Sequence, residues 1–177
     1  MLMLSLIESL LIIKKIREDT FEPRSEKYSP AAIFERVITI MKHDATGKSN
    51  SLAFYAVPAA QFLDFDPDTH PAPTDYDLPE VLYGDETILQ IVLLNLLKNA
   101  IKFTSHGRVL IIASFNAQMK RLYFRVNDTG KGISQEDLKN LFTKFGKVHR
   151  TAEENHEGLG MGLMISQAIV AKSLGLI

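Results

Sequence analysis

The chain has 177 residues, a net charge of −1 and no cysteine. That length suffices for one domain with a sizeable core, and the apolar and charged fractions are those of an ordinary soluble globular protein. The near-zero charge gives no support to a nucleic-acid surface, and the missing cysteines exclude disulfides, thiolate catalysis and cysteine-based zinc sites.

Met1 to Ile13 is strongly apolar, yet too short to span a bilayer, and Ser5, Glu8 and Ser9 interrupt it. It lacks the basic start and cleavage site of a signal peptide. Met3, Leu6, Leu10 and Ile13 recur at helical spacing. The stripe reads as the end of a longer amphipathic helix that packs on a partner helix; the alternative is a terminal helix packed on the domain's own core. A charged linker, Arg17 to Lys27, comes next. Ser29-Pro30 then opens a helix whose buried face is Ile33, Val37 and Ile40/Met41, with Gly47 after its end. Ser51 to Val57 reads as a strand.

Ala59 to Pro79 carries Pro67, Pro71, Pro73 and Pro79 among several aspartates and reads as a solvated loop. The aspartate spacing lacks the glycine and terminal glutamate of an EF-hand, which argues against calcium. Val81 to Tyr83 is a short predicted strand, and Asp85 caps a long helix from about Glu86 to Phe103. Arg108 to Phe115 and Arg121 to Val126 read as strands joined by a hairpin, which argues against a purely parallel sheet. Ser134 begins a helix with the stripe Leu138, Leu141/Phe142 and Phe145. Val148 to Glu157 is polar and without apolar period, the pattern of a mobile segment. Gly158 to Gly162 opens a last helix that closes near Gly175.

Three of these places carry chemistry. On the long helix Asn95, Asn99 and Lys102 stand at i, i+4 and i+7, on one face of an otherwise apolar element. They are either amides bonded to neighbouring backbone or a line of groups along a triphosphate, with an asparagine oxygen on Mg²⁺ and the lysine on phosphate. In Asn127-Asp128-Thr129-Gly130-Lys131-Gly132 a strand is predicted to end at Val126. The glycines then allow close approach of a flat ligand, and Asp128 can accept a hydrogen bond from an exocyclic amine. A simple turn with an aspartate cap is the plainer reading. Gly158-Leu159-Gly160-Met161-Gly162-Leu163 offers backbone N–H groups at a glycine-rich helix start. Its spacing is neither the dinucleotide fingerprint nor a P-loop.

Together with Phe142-Thr-Lys-Phe145, these segments resemble the N, G1, F and G2 boxes of the GHKL ATP-binding fold, in the version used by sensor histidine kinases. Leu78 to Asp85 resembles the lead-in to the N box. The resemblance implies a two-layer α/β sandwich (the Bergerat fold), with a mixed sheet and helices on one face. Residues 1–17 would be the end of a dimerisation helix, 18–28 a linker and 29–177 the ATP-binding catalytic domain, with a lid at about 134–157.

By the same resemblance Asp128 reads the adenine amino group, helped by Gly132. Asn99 ligates Mg²⁺ with Asn95 close to the same ion, Lys102 contacts phosphate and Phe103 lies beside the nucleotide. Gly130, Gly158, Leu159, Gly160, Gly162 and Leu163 line the ATP. Lys144, Lys147, His149 and Arg150 are candidate phosphate contacts in the lid. Hydrolysing members of the superfamily carry a glutamate where this chain has Asn95, and a neutral amide is a poor general base. The implied activity is therefore that of a protein-histidine kinase catalytic domain, which transfers the γ-phosphoryl group to a histidine on a dimerisation helix.

The chain departs from the family pattern in two ways. None of His43, His70, His106, His149 and His156 has the context of a phospho-acceptor. Family domains also continue past the last helix with a Gly-Gly turn and a β-hairpin, so the sheet is expected to lack that hairpin here. The implied partners are dimerisation helices of the same or a partner subunit in a homodimer and a response-regulator receiver domain, with no nucleic acid. The need for ATP implies a cytoplasmic location. A degenerate nucleotide-binding or interaction module without kinase activity is the competing expectation.

Overall fold

The computed structural model describes residues 11–70, 78–138, 141 and 162–173. They belong to two compact units, one of Ser25–Glu86 and Leu97–Lys131, the other of Met1–Arg24, Thr87–Leu96 and Gly132–Ile177. Helix α3 contributes its first half to the second of these and its last turns to the first.

Residues 11–17 are helical (α1). The stretch predicted as linker ends in a strand, β1 (Glu26–Tyr28), which pairs antiparallel with β3 (Leu82–Gly84). Three residues with no apolar alternation carry no strand signal, so only the partner reveals it. Helix α2 (Pro30–Gly47) starts as expected, with the Ser29 hydroxyl accepting from the Ala32 N–H. Its end differs from expectation. Gly47 is the last helical residue, and the left-handed turn is taken by Ser49, at φ 57°.

β2 (Ser51–Ala56) runs parallel to β4 (Arg108–Asn116), and β4 pairs antiparallel with β5 (Arg121–Asp128), in the order β2-β4-β5. β5 runs two residues past the predicted end at Val126, because Asn127 and Asp128 still pair with Leu110 and Val109. The Asn116 side chain accepts from the Met119 N–H and closes the hairpin.

Alternation along the strands separates two faces. On one, Phe34 of α2 is fully buried, stacked 4.8 Å from Phe54 and edge-on to Phe124 at 6.2 Å. On the other, Val57, Phe65 and Ile112 form a second cluster with Tyr55 and Phe62. The aspartate- and proline-rich segment is thus more than a solvated loop. A 3₁₀ turn, Ala59–Gln61, leads it back over the sheet. Phe62 then meets Tyr123, and Phe65 meets Tyr55. Arg125 donates to the carbonyls of Leu63 and Phe65. Burial from both sides explains why Val109–Ala113 is an unbroken apolar run.

In the other unit the first half of α3 (Glu86–Phe103) buries Ile88, Leu89, Val92 and Leu93. The short α4 (Gln135–Leu138) is capped by Ser134, whose hydroxyl accepts from the Asp137 N–H; Leu138, predicted on a buried stripe, is 49% exposed. α5 (Gly162–Ser173) buries Ile165, Ile169 and Val170. Among the described residues no helix is long and apolar enough to cross a membrane.

Phe34→Ala is expected to lower unfolding free energy by about 3–5 kcal/mol, because the removed ring is fully buried between two others. Urea denaturation measures it, and a loss below about 1 kcal/mol would contradict this placement of the core.

Candidate functional site

Helix α3 is buried on most sides, but Asn95, Asn99, Lys102 and Phe103 are only half-buried. The residues expected on one face are therefore those that the helix does not spend on its core. Lys98 is half-buried as well, and burial pushes its ammonium below the usual lysine range, an effect partly opposed by Asp44.

The helix ends against the tip of β5. Alternation sends Phe124, Val126 and Asp128 to the helix-covered face and Arg125 and Asn127 to the other. Thr104, fully buried just after α3, donates its hydroxyl to Asp128 Oδ1 at 3.4 Å, and the Gly130 N–H donates to the same oxygen at 2.9 Å. Asp128 itself is exposed, and among the described residues no donor reaches Oδ2. The result is an oriented carboxylate with one oxygen open to a ligand donor.

Glycine is required at position 130. A Cβ there would lie 2.5 Å from the Phe103 carbonyl oxygen and 2.7 Å from Asp128 Oδ1. Gly107 is similarly confined, by Thr129 and Thr104. Thr129 ties the turn to β4: its hydroxyl accepts from the Arg108 N–H and its own N–H donates to the Arg108 carbonyl. Gly132 has φ +69°, a conformation that glycine adopts freely, in open space. The ammonium groups of Lys102 and Lys131 both lie over the Phe103 ring, at 5.4 and 5.6 Å. Positive charge and an aromatic face thus gather at the end of α3.

In the other unit Asn95 meets the start of α5. Its Nδ2 donates to the Ser166 hydroxyl at 3.3 Å and the Gly162 carbonyl at 3.5 Å. Among the described residues its Oδ1 accepts nothing. Leu163 is half-buried in the first turn of the same helix. Gly158, Leu159 and Gly160 lie outside the described residues, as do Phe142, Phe145 and the lid cations Lys144, Lys147, His149 and Arg150.

Sequence reasoning missed Thr104 and Asn50, the buried pair behind Asp128. A threonine directly after Phe103 was the available signal for the first; a lone asparagine between a helix and a strand offers no period to read. A cleft of about 280 Å³ opens along the other sheet face and reaches the tip of β5, lined by Asp64, Asp66, Arg108, Arg125, Asp128 and Thr129 among others. Its cations are already engaged, Arg108 by both oxygens of Asp68 and Arg125 by two carbonyls. Among the described residues no three His, Cys, Asp or Glu side chains are grouped to hold a metal.

The family described as histidine kinase-, DNA gyrase B- and HSP90-like ATPase matches residues 84–176, and the chain belongs to it. Among curated proteins, the peroxide stress-activated histidine kinase mak1 of Schizosaccharomyces pombe is 28% identical over 173 residues, covering 95% of this chain. The sensor histidine kinase RcsC of Escherichia coli K12 is 29% identical over 170 residues, covering 96%. The chain spans 10% of the first relative and 16% of the second. Among solved structures, full-length ShkA in complex with AMPPNP superimposes with a TM-score of 0.71 at 26% identity, over 96% of this chain and 30% of that one. The fold is therefore the mixed α/β architecture of histidine kinase catalytic domains.

Gly130→Ala is expected to cost about 1–3 kcal/mol of stability, since the Phe103 backbone must move to admit the methyl group. Gly47→Ala, in open space, is the control and is expected to be neutral or stabilising. Equal denaturation midpoints for the two variants would contradict the close approach at residue 130.

Proposed function

We propose that this chain is the ATP-binding catalytic part of a sensor histidine kinase, which binds Mg·ATP and delivers the γ-phosphoryl group to a histidine on a dimerisation helix outside the chain. The observation that carries this reading is the Asp128 carboxylate, oriented through one oxygen by Thr104 and Gly130 and exposed at the other. An exocyclic amine such as that of adenine is the complementary donor, and a bond to a charged acceptor contributes about 1.5–3 kcal/mol.

The remaining roles follow the chemistry of each group. Phe103 offers an apolar face to the nucleotide. Lys102 neutralises phosphate charge as a point cation. The open Oδ1 of Asn95 and the half-buried amide of Asn99 are oxygen donors suited to Mg²⁺, which takes few protein ligands and keeps waters and phosphate oxygens for the rest. That ion would neutralise charge on the phosphates. Gly158, Leu159, Gly160, Gly162 and Leu163 supply backbone N–H groups and lining for the phosphates. Asn95 cannot serve as a general base for water, so ATP is held for a different nucleophile.

In this reading residues 1–17 end the dimerisation helix, 18–28 link it to the catalytic part, and the lid spans about 134–157. The parent protein works in the cytoplasm as a homodimer and passes phosphate to a receiver domain.

Titration with ATP tests the site. Asp128→Ala is expected to weaken ATP binding at least about tenfold with the fold intact by circular dichroism; unchanged affinity would refute the adenine assignment. Asn99→Ala should weaken Mg²⁺-dependent ATP binding more than metal-free ADP binding, and equal losses would remove its metal role. With γ-labelled ATP and a supplied dimerisation-helix fragment, label should appear on the fragment. Binding without transfer would instead favour a nucleotide-binding module that lacks kinase activity.

A further inference from the structure

Asn50 stands 54 residues before Thr104 in sequence, yet it is buried beside the end of α3, at 7% relative exposure. Its amide brackets the turn that follows the helix. Nδ2 donates to the Thr104 carbonyl at 2.8 Å, and Oδ1 accepts from the Gly107 N–H at 2.9 Å. Its neighbours hold the same turn. Lys48 Nζ donates to the Lys102 carbonyl at 2.6 Å, the His106 N–H donates to the Lys48 carbonyl, and the Ser51 N–H donates to the Gly107 carbonyl. The carbonyls at a helix end need partners, and here the corner between α2 and β2 supplies them.

We propose that Asn50 is a positioning residue for nucleotide recognition. It fixes the 104–107 turn, and through the Thr104 hydroxyl it sets the orientation of the Asp128 carboxylate. This rests on the reading of Asp128 as the acceptor for the adenine amine. A side-chain amide is needed because one partner is a carbonyl and the other an N–H, and only a group with both donor and acceptor satisfies them. Alanine leaves both unsatisfied in a buried place. Aspartate keeps the shape, still accepts from Gly107, and sets a carboxylate oxygen against the Thr104 carbonyl.

The test compares ATP with inosine triphosphate, which has a carbonyl where adenine has its amine. Wild type, Asn50→Ala, Asn50→Asp, Thr104→Val and Asp128→Ala are titrated as folded full chains, with melting followed separately. The preference for ATP over inosine triphosphate should fall about tenfold in Asn50→Ala and Asn50→Asp, as in Thr104→Val, while affinity for inosine triphosphate stays near wild type. Asn50→Ala combined with Thr104→Val should lose little more than either alone. A role in stability only would lower melting temperatures and leave the preference unchanged, and that result overturns the inference. Additive losses in the double variant overturn it too. Should Asn50→Ala fail to fold, the isosteric Asn50→Asp decides on the same ratio. If Asp128→Ala itself keeps the preference, the functional reading falls and takes this inference with it. Loss in Asp128→Ala with no change at Asn50 overturns this inference alone.

Discussion

The carbonyl of Phe103 comes so close to the turn after β5 that no side chain fits at residue 130. That approach lets the end of α3 and the tip of β5 share hydrogen bonds. Once it is fixed, Thr104 reaches Asp128 from the helix side while the Gly130 N–H reaches it from the turn. Two donors on one oxygen fix the direction of the carboxylate within the fold itself, so in the proposed reading little ordering remains for binding to supply. The same approach brings Lys102 and Lys131 to the Phe103 ring. Half-buried side chains on a helix whose other faces are apolar thus become a polar edge beside an oriented acceptor.

Support for this arrangement comes from both faces of the sheet. Phe34 anchors α2 on one, and the segment 57–70 covers the other through Phe62, Phe65 and the Arg125 guanidinium. The Arg108–Asp68 pair, in which one guanidinium nitrogen meets both carboxylate oxygens, adds little energy, because Asp68 is largely exposed and its attraction is screened by solvent. The buried aromatics contribute most there. Since the Arg108 N–H donates to the Thr129 hydroxyl and the Thr129 N–H donates to the Arg108 carbonyl, the second face adjoins the turn that carries Asp128.

Much of the fold was legible because long elements impose a period. The Ser-Pro start and apolar face of α2, the length of α3 and the β4–β5 hairpin all follow from capping and spacing. What was hidden depends on partners distant in sequence. β1 is three residues long and exists through its pairing with β3. Composition marked 59–70 as solvated because its aspartates and prolines outnumber the two phenylalanines that pin it. β5 outran its predicted end because ladder bonds, not side-chain character, decide where a strand stops. The box residues were marked in the sequence by motif and by family resemblance. Thr104 and Asn50 were not, because one buried polar residue has no pattern until the atoms it satisfies are known.

The most direct measurement is a crystal structure of this chain with Mg²⁺ and a non-hydrolysable ATP analogue. The account predicts the adenine amino nitrogen at about 2.9 Å from the Asp128 carboxylate, with Thr104 and Gly130 still bonded to its other oxygen. An adenine ring bound elsewhere, or an Asp128 carboxylate turned away from it toward solvent, would contradict the account.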